Sequence, residues 1–327
     1  MTAPSDAELR AGLERALAGV GLELAGEVER RPSPYRTSFP IEELRLRLVG
    51  RGPVTLAFKQ LDRDRLEPVA RLAKPSFLHD PEREPEVYRA LLPQAPAGPP
   101  EFFGSVLEVD RRWLFVEWVE GRELFQVGER ELWEEAARWL ARFHAALAPE
   151  RERHRREARL LDHDAAFYRR WTERAREFAP DEKEIKWLAE RHEQIVEALL
   201  ALPRTVVHGE FYASNVLVAS DSGHTPVGRK SDTRVAPVDW ELAAVGSGLS
   251  DLAALVSGWP DGDRAAIAAA YAAEPGVPTF TGRDLDFARL QVAIQWLGWA
   301  PPEWEPPEGQ RHDWLGEAVA LAEELEL

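Results

Sequence analysis

The sequence predicts an α+β protein of two lobes, a small β-rich lobe over residues 1–119 and a larger helical lobe over residues 120–327. Apolar and polar residues alternate with period two in 43–49 and 54–61, the mark of half-buried strands. Apolar residues then recur at helical spacing through 129–148. The length of 327 residues matches about two domains at roughly 100–200 residues each.

Taken in order, Ser5-Asp-Ala-Glu8 has capping-box spacing and opens a helix whose apolar stripe runs through Leu9, Leu13, Ala16 and Leu17. Leu44, Leu46 and Leu48 alternate with Arg45 and Arg47, and Val54, Leu56 and Phe58 with Thr55, Ala57 and Lys59. Gly50, Gly52 and Pro53 supply the turn between these strands. Lys59 therefore shares a face with small residues, away from the core side chains. Pro81–Leu92 reads as a short helix, 96–100 as a loop, and 104–119 as two strands around Asp110-Arg111. After Glu120-Gly121 the pattern becomes helical, with Leu132, Ala136, Trp139, Leu140, Phe143 and Leu147 on one face. Two or three further helices fill 150–202, where the mixed charges of Arg151–Arg159 suit a solvated face. Strand signals return at 205–207, 216–219 and 234–238, the last two joined by a Ser/Asp/Gly-rich loop at 220–233. From 249 onward the chain is helical, interrupted by a Pro/Trp-rich stretch at 299–307.

Composition narrows the chemistry. With 41 Lys+Arg against 57 Asp+Glu the net charge is −16, which opposes a nucleic-acid partner. The absence of cysteine excludes disulfides, zinc–thiolate sites, Fe–S clusters and thiol nucleophiles. No apolar run approaches a membrane span of roughly 18 residues, and the first residues lack a signal-peptide pattern, so a soluble cytoplasmic protein is expected. Only five lysines occur (Lys59, Lys74, Lys183, Lys186, Lys230), and Asn215 is the sole asparagine.

The densest polar motif is 206–218, where an apolar strand runs into His208-Gly-Glu210-x₄-Asn215 and a second strand follows. Some twenty residues on, another apolar strand ends in Asp239-Trp-Glu241. Phosphoryl transfer from ATP needs a carboxylate to orient the attacking hydroxyl, an amide oxygen and a carboxylate for Mg²⁺, and a lysine for the phosphates. Glu210, Asn215 and Asp239 supply the first three in chain order, and Lys59 the fourth.

In these motifs the sequence resembles the aminoglycoside phosphotransferase/choline kinase-like family, which has a two-lobed protein-kinase-like fold. That family's signature is His-Gly-Asp-x₄-Asn, then Asp-Trp-Glu, then Gly-x₄-Asp-Leu-Ala. Here it stands as His208-Gly209-Glu210-x₄-Asn215, Asp239-Trp240-Glu241 and Gly246-x₄-Asp251-Leu-Ala. The similarity also takes in Ala57-Phe-Lys59, the helix opened by Glu84, Leu114–Gly121 as an interlobe hinge, and Leu140-Ala-Arg-Phe-His144. It implies that Lys59 binds the α/β-phosphates of ATP and pairs with Glu84, with Glu86 a substitute because Pro85 suits only a first helical turn. Main-chain groups of Glu117, Trp118 and Val119 would hold the adenine edge. Asn215 and Asp239 would bind Mg²⁺, and Glu241 would assist the metal or face the substrate. Asp251 would brace the catalytic loop with His208 beneath it, and the position that orients the nucleophile falls on Glu210. The small-lobe loop Ser33–Phe39 has no glycine.

The activity implied is ATP- and Mg²⁺-dependent phosphorylation of a hydroxyl on a small molecule such as an aminoglycoside, amino alcohol or sugar, with a cationic acceptor in keeping with the net charge. A kinase of Ser or Thr in a peptide natural-product precursor stays open, as does a nucleotide-binding pseudokinase, because Glu210 replaces the usual Asp. None of these motifs speaks to oligomeric state. Trp259, Trp296, Trp299, Trp304 and Trp314 read as packing or acceptor-pocket lining. Asp162, Asp164, Asp181 and Glu182 read as solvated acidic surface or as an attraction for a cation.

Overall fold

The computed structural model describes residues 3–33, 38–220, 233–299, 301 and 312–327. Most of the Ser33–Phe39 loop, the 220–233 loop and the Pro/Trp-rich stretch, with Trp304, lie outside the described residues.

Helix α1 (Asp6–Gly19) begins with the expected capping box: the Ser5 amide donates to Glu8 Oε2 (2.9 Å) and the Glu8 amide to Ser5 Oγ (3.3 Å). Its stripe of Leu9, Leu13, Ala16 and Leu17 is buried against Phe58, Trp113 and Phe115 of a five-stranded sheet. The helix lies close because Gly12 faces the Trp113 ring, where a Cβ would come within 2.4 Å. The strands are β1 (Leu24–Pro32), β2 (Ile41–Leu48), β3 (Gly52–Gln60), β4 (Phe102–Glu108) and β5 (Arg111–Glu117), antiparallel in the order β1-β2-β3-β5-β4. Strand β1 escapes the sequence pattern because it is an edge strand, largely exposed and charged. In the central β3, Leu56 and Phe58 enter the core, while Ala57 and Lys59 face the opposite side.

Between the sheet's third and fourth strands the chain forms α2 (Pro68–Ala73) and then α3 (Arg83–Glu86), which runs on as a π-turn over Val87–Leu91. The helix expected from Pro81 thus starts two residues later, with Pro85 in its first turn, where its missing N–H costs nothing. The second lobe packs α4 (Arg130–Leu147), α5 (Arg151–Glu157), α6 (Ala165–Phe178), α7 (Lys183–Ala201), α8 (Gly248–Leu255), α9 (Asp261–Ala272), α10 (Gly282–Leu297) and α11 (Trp314–Glu324) around one large apolar core. Two small sheets sit on it. One pairs β10 (Thr233–Pro237), β9 (Val216–Ser220) and β6 (Arg122–Glu123); the other pairs β7 (Leu161–Asp162), β11 (Ala244–Ser247) and β8 (Arg204–Val207). Among the described residues no helix is long and apolar enough to cross a membrane.

Candidate active site

The loop joining β8 to β9 is shaped by a buried carboxylate. Asp251, in the first turn of α8, accepts from the amides of His208 (2.6 Å) and Gly209 (2.9 Å) and from His144 Nε2 (3.1 Å). Burial alone would raise its pKa, but His144, through its hydrogen bond, and His208, through its amide, outweigh that and hold it below the ordinary value. His144 Nδ1 accepts in turn from the Tyr271 hydroxyl (2.8 Å). Gly209 has φ +88°, and a Cβ there would lie 2.2 Å from the Leu242 carbonyl, so only glycine fits. His208 packs 4.4 Å from the Trp240 ring and donates from Nε2 to the Val238 carbonyl (2.9 Å). Its Nδ1 accepts from the Glu210 amide (3.3 Å), a pairing only the neutral ring allows, and burial lowers its pKa accordingly.

Asn215 donates from Nδ2 to the Glu210 carbonyl (3.0 Å), so its amide oxygen faces away from the loop. Asp239 follows β10 in the left-handed region (φ 66°, ψ 63°), a conformation non-glycine residues adopt at a cost. Its Oδ1 accepts from Lys59 Nζ at 2.8 Å, and the same ammonium donates to both oxygens of Glu84 at 2.8 Å. Glu84 is thus the partner of Lys59, whereas Glu86 pairs with Arg89 (2.9 Å). Burial opposes the charge on Lys59, yet Asp239 and Glu84 hold it well above the usual lysine value. Burial and the nearby Asp239 lift Glu84 to about 7 despite Lys59, while Lys59 keeps Asp239 low against its burial.

These groups form the polar end of a cleft of about 820 Å³ between the sheet and the second lobe. Ile41 and Ala57 line one side and Leu217 and Val238 another, with Glu117, Trp118 and Val119 also in its wall. The Glu117 amide donates to the Glu101 carbonyl (2.8 Å) and the Trp118 amide to the Thr55 carbonyl (3.0 Å). Among the described residues nothing accepts from the Val119 amide. The Glu117 carboxylate is gripped by Arg234 (2.6 and 2.7 Å), which holds its pKa low against burial.

Glu210 lies beyond the cleft's polar end, where burial and the neighbouring Glu241 and Asp239 push its carboxyl up to about 8. Glu241 is paired with Lys74, and its carbonyl accepts from Arg83 (2.6 Å). Neither Lys74 nor Arg83 was expected from the motifs. Lys74 shares with Lys59 the one signal that would have found it, the scarcity of lysine. Two residues on from Glu210, Tyr212 accepts from Trp296 Nε1 (2.8 Å), Trp296 stacks on Trp314, and Trp299 stacks on Trp171. Trp259 instead packs edge-on to Trp133. Of the candidate acidic residues, Asp162 is bound by Arg204 and Asp164 caps α6 through the Phe167 amide (2.7 Å), so both have structural work.

The oxygen donors available at the cleft, the Asn215 amide and the Asp239 carboxylate, suit Mg²⁺. Among the described residues no group of three acidic or histidine side chains is poised to hold a metal unaided, and Mg²⁺ is characteristically shared with substrate phosphates.

A model of the phosphotransferase enzyme family matches residues 45–290. The chain belongs to that family. No curated protein matches the sequence of this phosphotransferase. Its fold is similar to solved structures across nearly the full length. The GDP complex of aminoglycoside 2'-phosphotransferase-IIIa aligns over 99% of each chain at 14% identity and a TM-score of 0.57. The macrolide 2'-phosphotransferase MphH from Brachybacterium faecium aligns over 97% of this chain and 98% of its own at 18% identity, TM-score 0.58. A microcompartment-associated aminopropanol kinase covers 94% of this chain and 92% of its own at 15% identity, TM-score 0.57. The antiparallel-sheet lobe and the helical lobe of this phosphotransferase are those of the protein-kinase-like fold.

Proposed function

We propose that the protein is an ATP- and Mg²⁺-dependent kinase of the cytoplasm that phosphorylates a hydroxyl group on a small molecule. The observation that carries this reading is the convergence of Lys59, Glu84, Asn215 and Asp239 on one end of a single cleft, with Glu210 beyond them. In this reading residues 1–119 form the nucleotide-anchoring lobe and residues 120–327 carry the catalytic loop and the acceptor site. The adenine would sit between Ile41, Ala57 and Leu217, its edge met by the Val119 amide.

Lys59, fixed by Glu84, would hold the α/β-phosphates. Asn215 and Asp239 would hold Mg²⁺, which when bound neutralises charge on the phosphate oxygens. Glu210 orients the acceptor hydroxyl: the bond from the terminal phosphorus to ADP breaks, a bond to the acceptor oxygen forms, and the hydroxyl proton passes to the Glu210 carboxylate. Raised to about 8, the carboxyl accepts the proton only in its ionised fraction, where it is a stronger base than an ordinary carboxylate, so turnover is expected to climb as pH rises toward 8. The rings of Tyr212, Trp296 and Trp314, linked to the Glu210 loop through Tyr212, favour an acceptor with a sugar or amine face, since CH groups and cations both pack on aromatic rings.

Asp239→Ala is expected to abolish phosphate transfer and metal-dependent nucleotide binding together. The check is ADP release across aminoglycosides, amino alcohols, sugars and nucleosides, with nucleotide titration in Mg²⁺ and in chelator. Undiminished turnover in that variant would remove the assignment.

A further inference from the structure

A second hollow lies in the helical lobe and shares no lining residue with the cleft. It is a cavity of about 500 Å³, partly open to solvent and within the roughly 300–1,000 Å³ of small-molecule sites. Its walls come from the end of α4, the start of β8, the start of α8 and the turn that follows α9. Gly248 lets α8 begin close against α4 and α9, since a Cβ there would stand 2.7 Å from His144 Nδ1 and 2.8 Å from the Tyr271 hydroxyl.

Most of the wall is apolar. Pro203, Leu249, Val277, Pro278 and Phe280 supply it, and Phe280 meets the Tyr271 ring edge-on at 6.0 Å. Among them stand donors without acceptors. Arg204 gives Nη2 to Asp162 and to the Val245 carbonyl (2.8 Å), whereas its Nη1 has no acceptor among the described residues. Ser247 is 2% exposed, and its Oγ accepts from the Leu249 amide (3.3 Å). Among the described residues nothing accepts the Ser247 hydroxyl proton. Gly248 is the first residue of α8, so its amide has no acceptor within the helix. The other buried polar side chains of the wall are satisfied: Tyr271 donates to His144 Nδ1 (2.8 Å) and Thr205 to the His144 carbonyl (2.7 Å).

A buried hydroxyl and a guanidinium nitrogen with protons to give require an acceptor, and an anionic acceptor is held about twice as strongly as a neutral one. The N-terminal end of α8 adds to the preference for negative charge. With Asp162 already on the guanidinium, that preference extends to a single charge and no further. We propose that this cavity binds a small monocarboxylate with an apolar body. Arg204, Ser247 and the start of α8 receive the carboxylate, and Leu249, Val277 and Phe280 pack the body. It is a site apart from phosphate transfer, since neither Glu210 nor any residue of the cleft lines it.

The probe is benzoate, with benzamide as its uncharged counterpart, each titrated into the millimolar range by ligand-observed NMR. Wild type is expected to bind benzoate at least about tenfold more tightly than benzamide. R204M should bring the two ligands to within about twofold of each other. V277W, which fills the apolar end, should weaken benzoate at least about tenfold. If R204M melts early because Asp162 loses its partner, S247A carries the same test, with benzoate weakened about threefold or more and benzamide little changed. Benzamide bound as tightly as benzoate by wild type overturns the inference, as does a wild type that binds no benzoate. So does wild-type benzoate affinity in folded V277W, or in both R204M and S247A.

Discussion

Glu210 reaches its place through a backbone that has little freedom, since the amides before it are clamped by Asp251 and Gly209 admits no side chain. Its carboxylate therefore stands about one methylene farther from the loop than an aspartate would, and a displacement of roughly 1 Å matters at this level. Glu210→Gln keeps the length and removes the proton acceptor. The expected outcome is a loss of about 10²–10⁴ in kcat with nucleotide affinity retained, read from steady-state turnover beside nucleotide titration. Retained turnover would assign the proton to another group. At this scale much of the site was legible. Lys59 and Asn215 stood out because lysine is rare and asparagine unique, and each fell within a spacing that phosphate chemistry demands. Lys74 is as rare but lies in no motif, and its link to Glu241 spans 167 positions. Only folding brings the two together, so no local pattern could announce them.

Among the elements, those with a clean period were readable and those whose environment is set by distant chain were not. Helices α1 and α4 declare their buried faces by spacing, and β2 and β3 by alternation. Strand β1 has one neighbour and a charged exterior, and the two-residue β7 exists only because β11 lies alongside it. At the end of β7, His163 shows what such placement costs. Its ring stacks on Phe167 at 4.0 Å, its Nδ1 has no partner among the described residues, and burial, only partly offset by Asp251, pushes its pKa down to about 4. The unfolded chain, with an ordinary histidine value near 6.5, takes up a proton that the folded chain refuses. Stability from this group is therefore complete above about 6.5 and is lost as pH falls toward 4, amounting to about 3 kcal/mol over that range. His163→Gln should be less stable than wild type at pH 7.5, and the gap should narrow by about 2–3 kcal/mol by pH 4.5. Urea unfolding at the two pH values measures it; a gap independent of pH would mean that His163 titrates alike in both states.

Across the whole molecule the two lobes are joined by more than their covalent hinge. Lys59 reaches Asp239, Lys74 reaches Glu241, and Arg234 fastens β10 to Glu117 while also donating to the carbonyls of Gly98 and Pro99. A ligand that fills the cleft between the lobes binds the folded state alone. Mg·ATP at a hundred times its dissociation constant should add about 2.7 kcal/mol, raising the melting temperature by about 4 °C, and chelation of the metal should remove most of that gain. Calorimetry or thermal shift decides it, and no shift at all would count against any nucleotide in the cleft. Arg83, immediately before Glu84, is 4% exposed and donates to the carbonyls of Leu78, Glu241 and Arg159. The helix that presents Glu84 is thereby riveted to the opposite lobe. A compound designed to prise that helix outward would have to break the two hydrogen bonds of a buried guanidinium to Glu241 and Arg159, each worth about 1.5–3 kcal/mol. If the phosphotransfer reading holds, inhibitors are therefore to be sought among molecules that compete for the cleft at the Val119 amide, and not among those that capture a displaced helix.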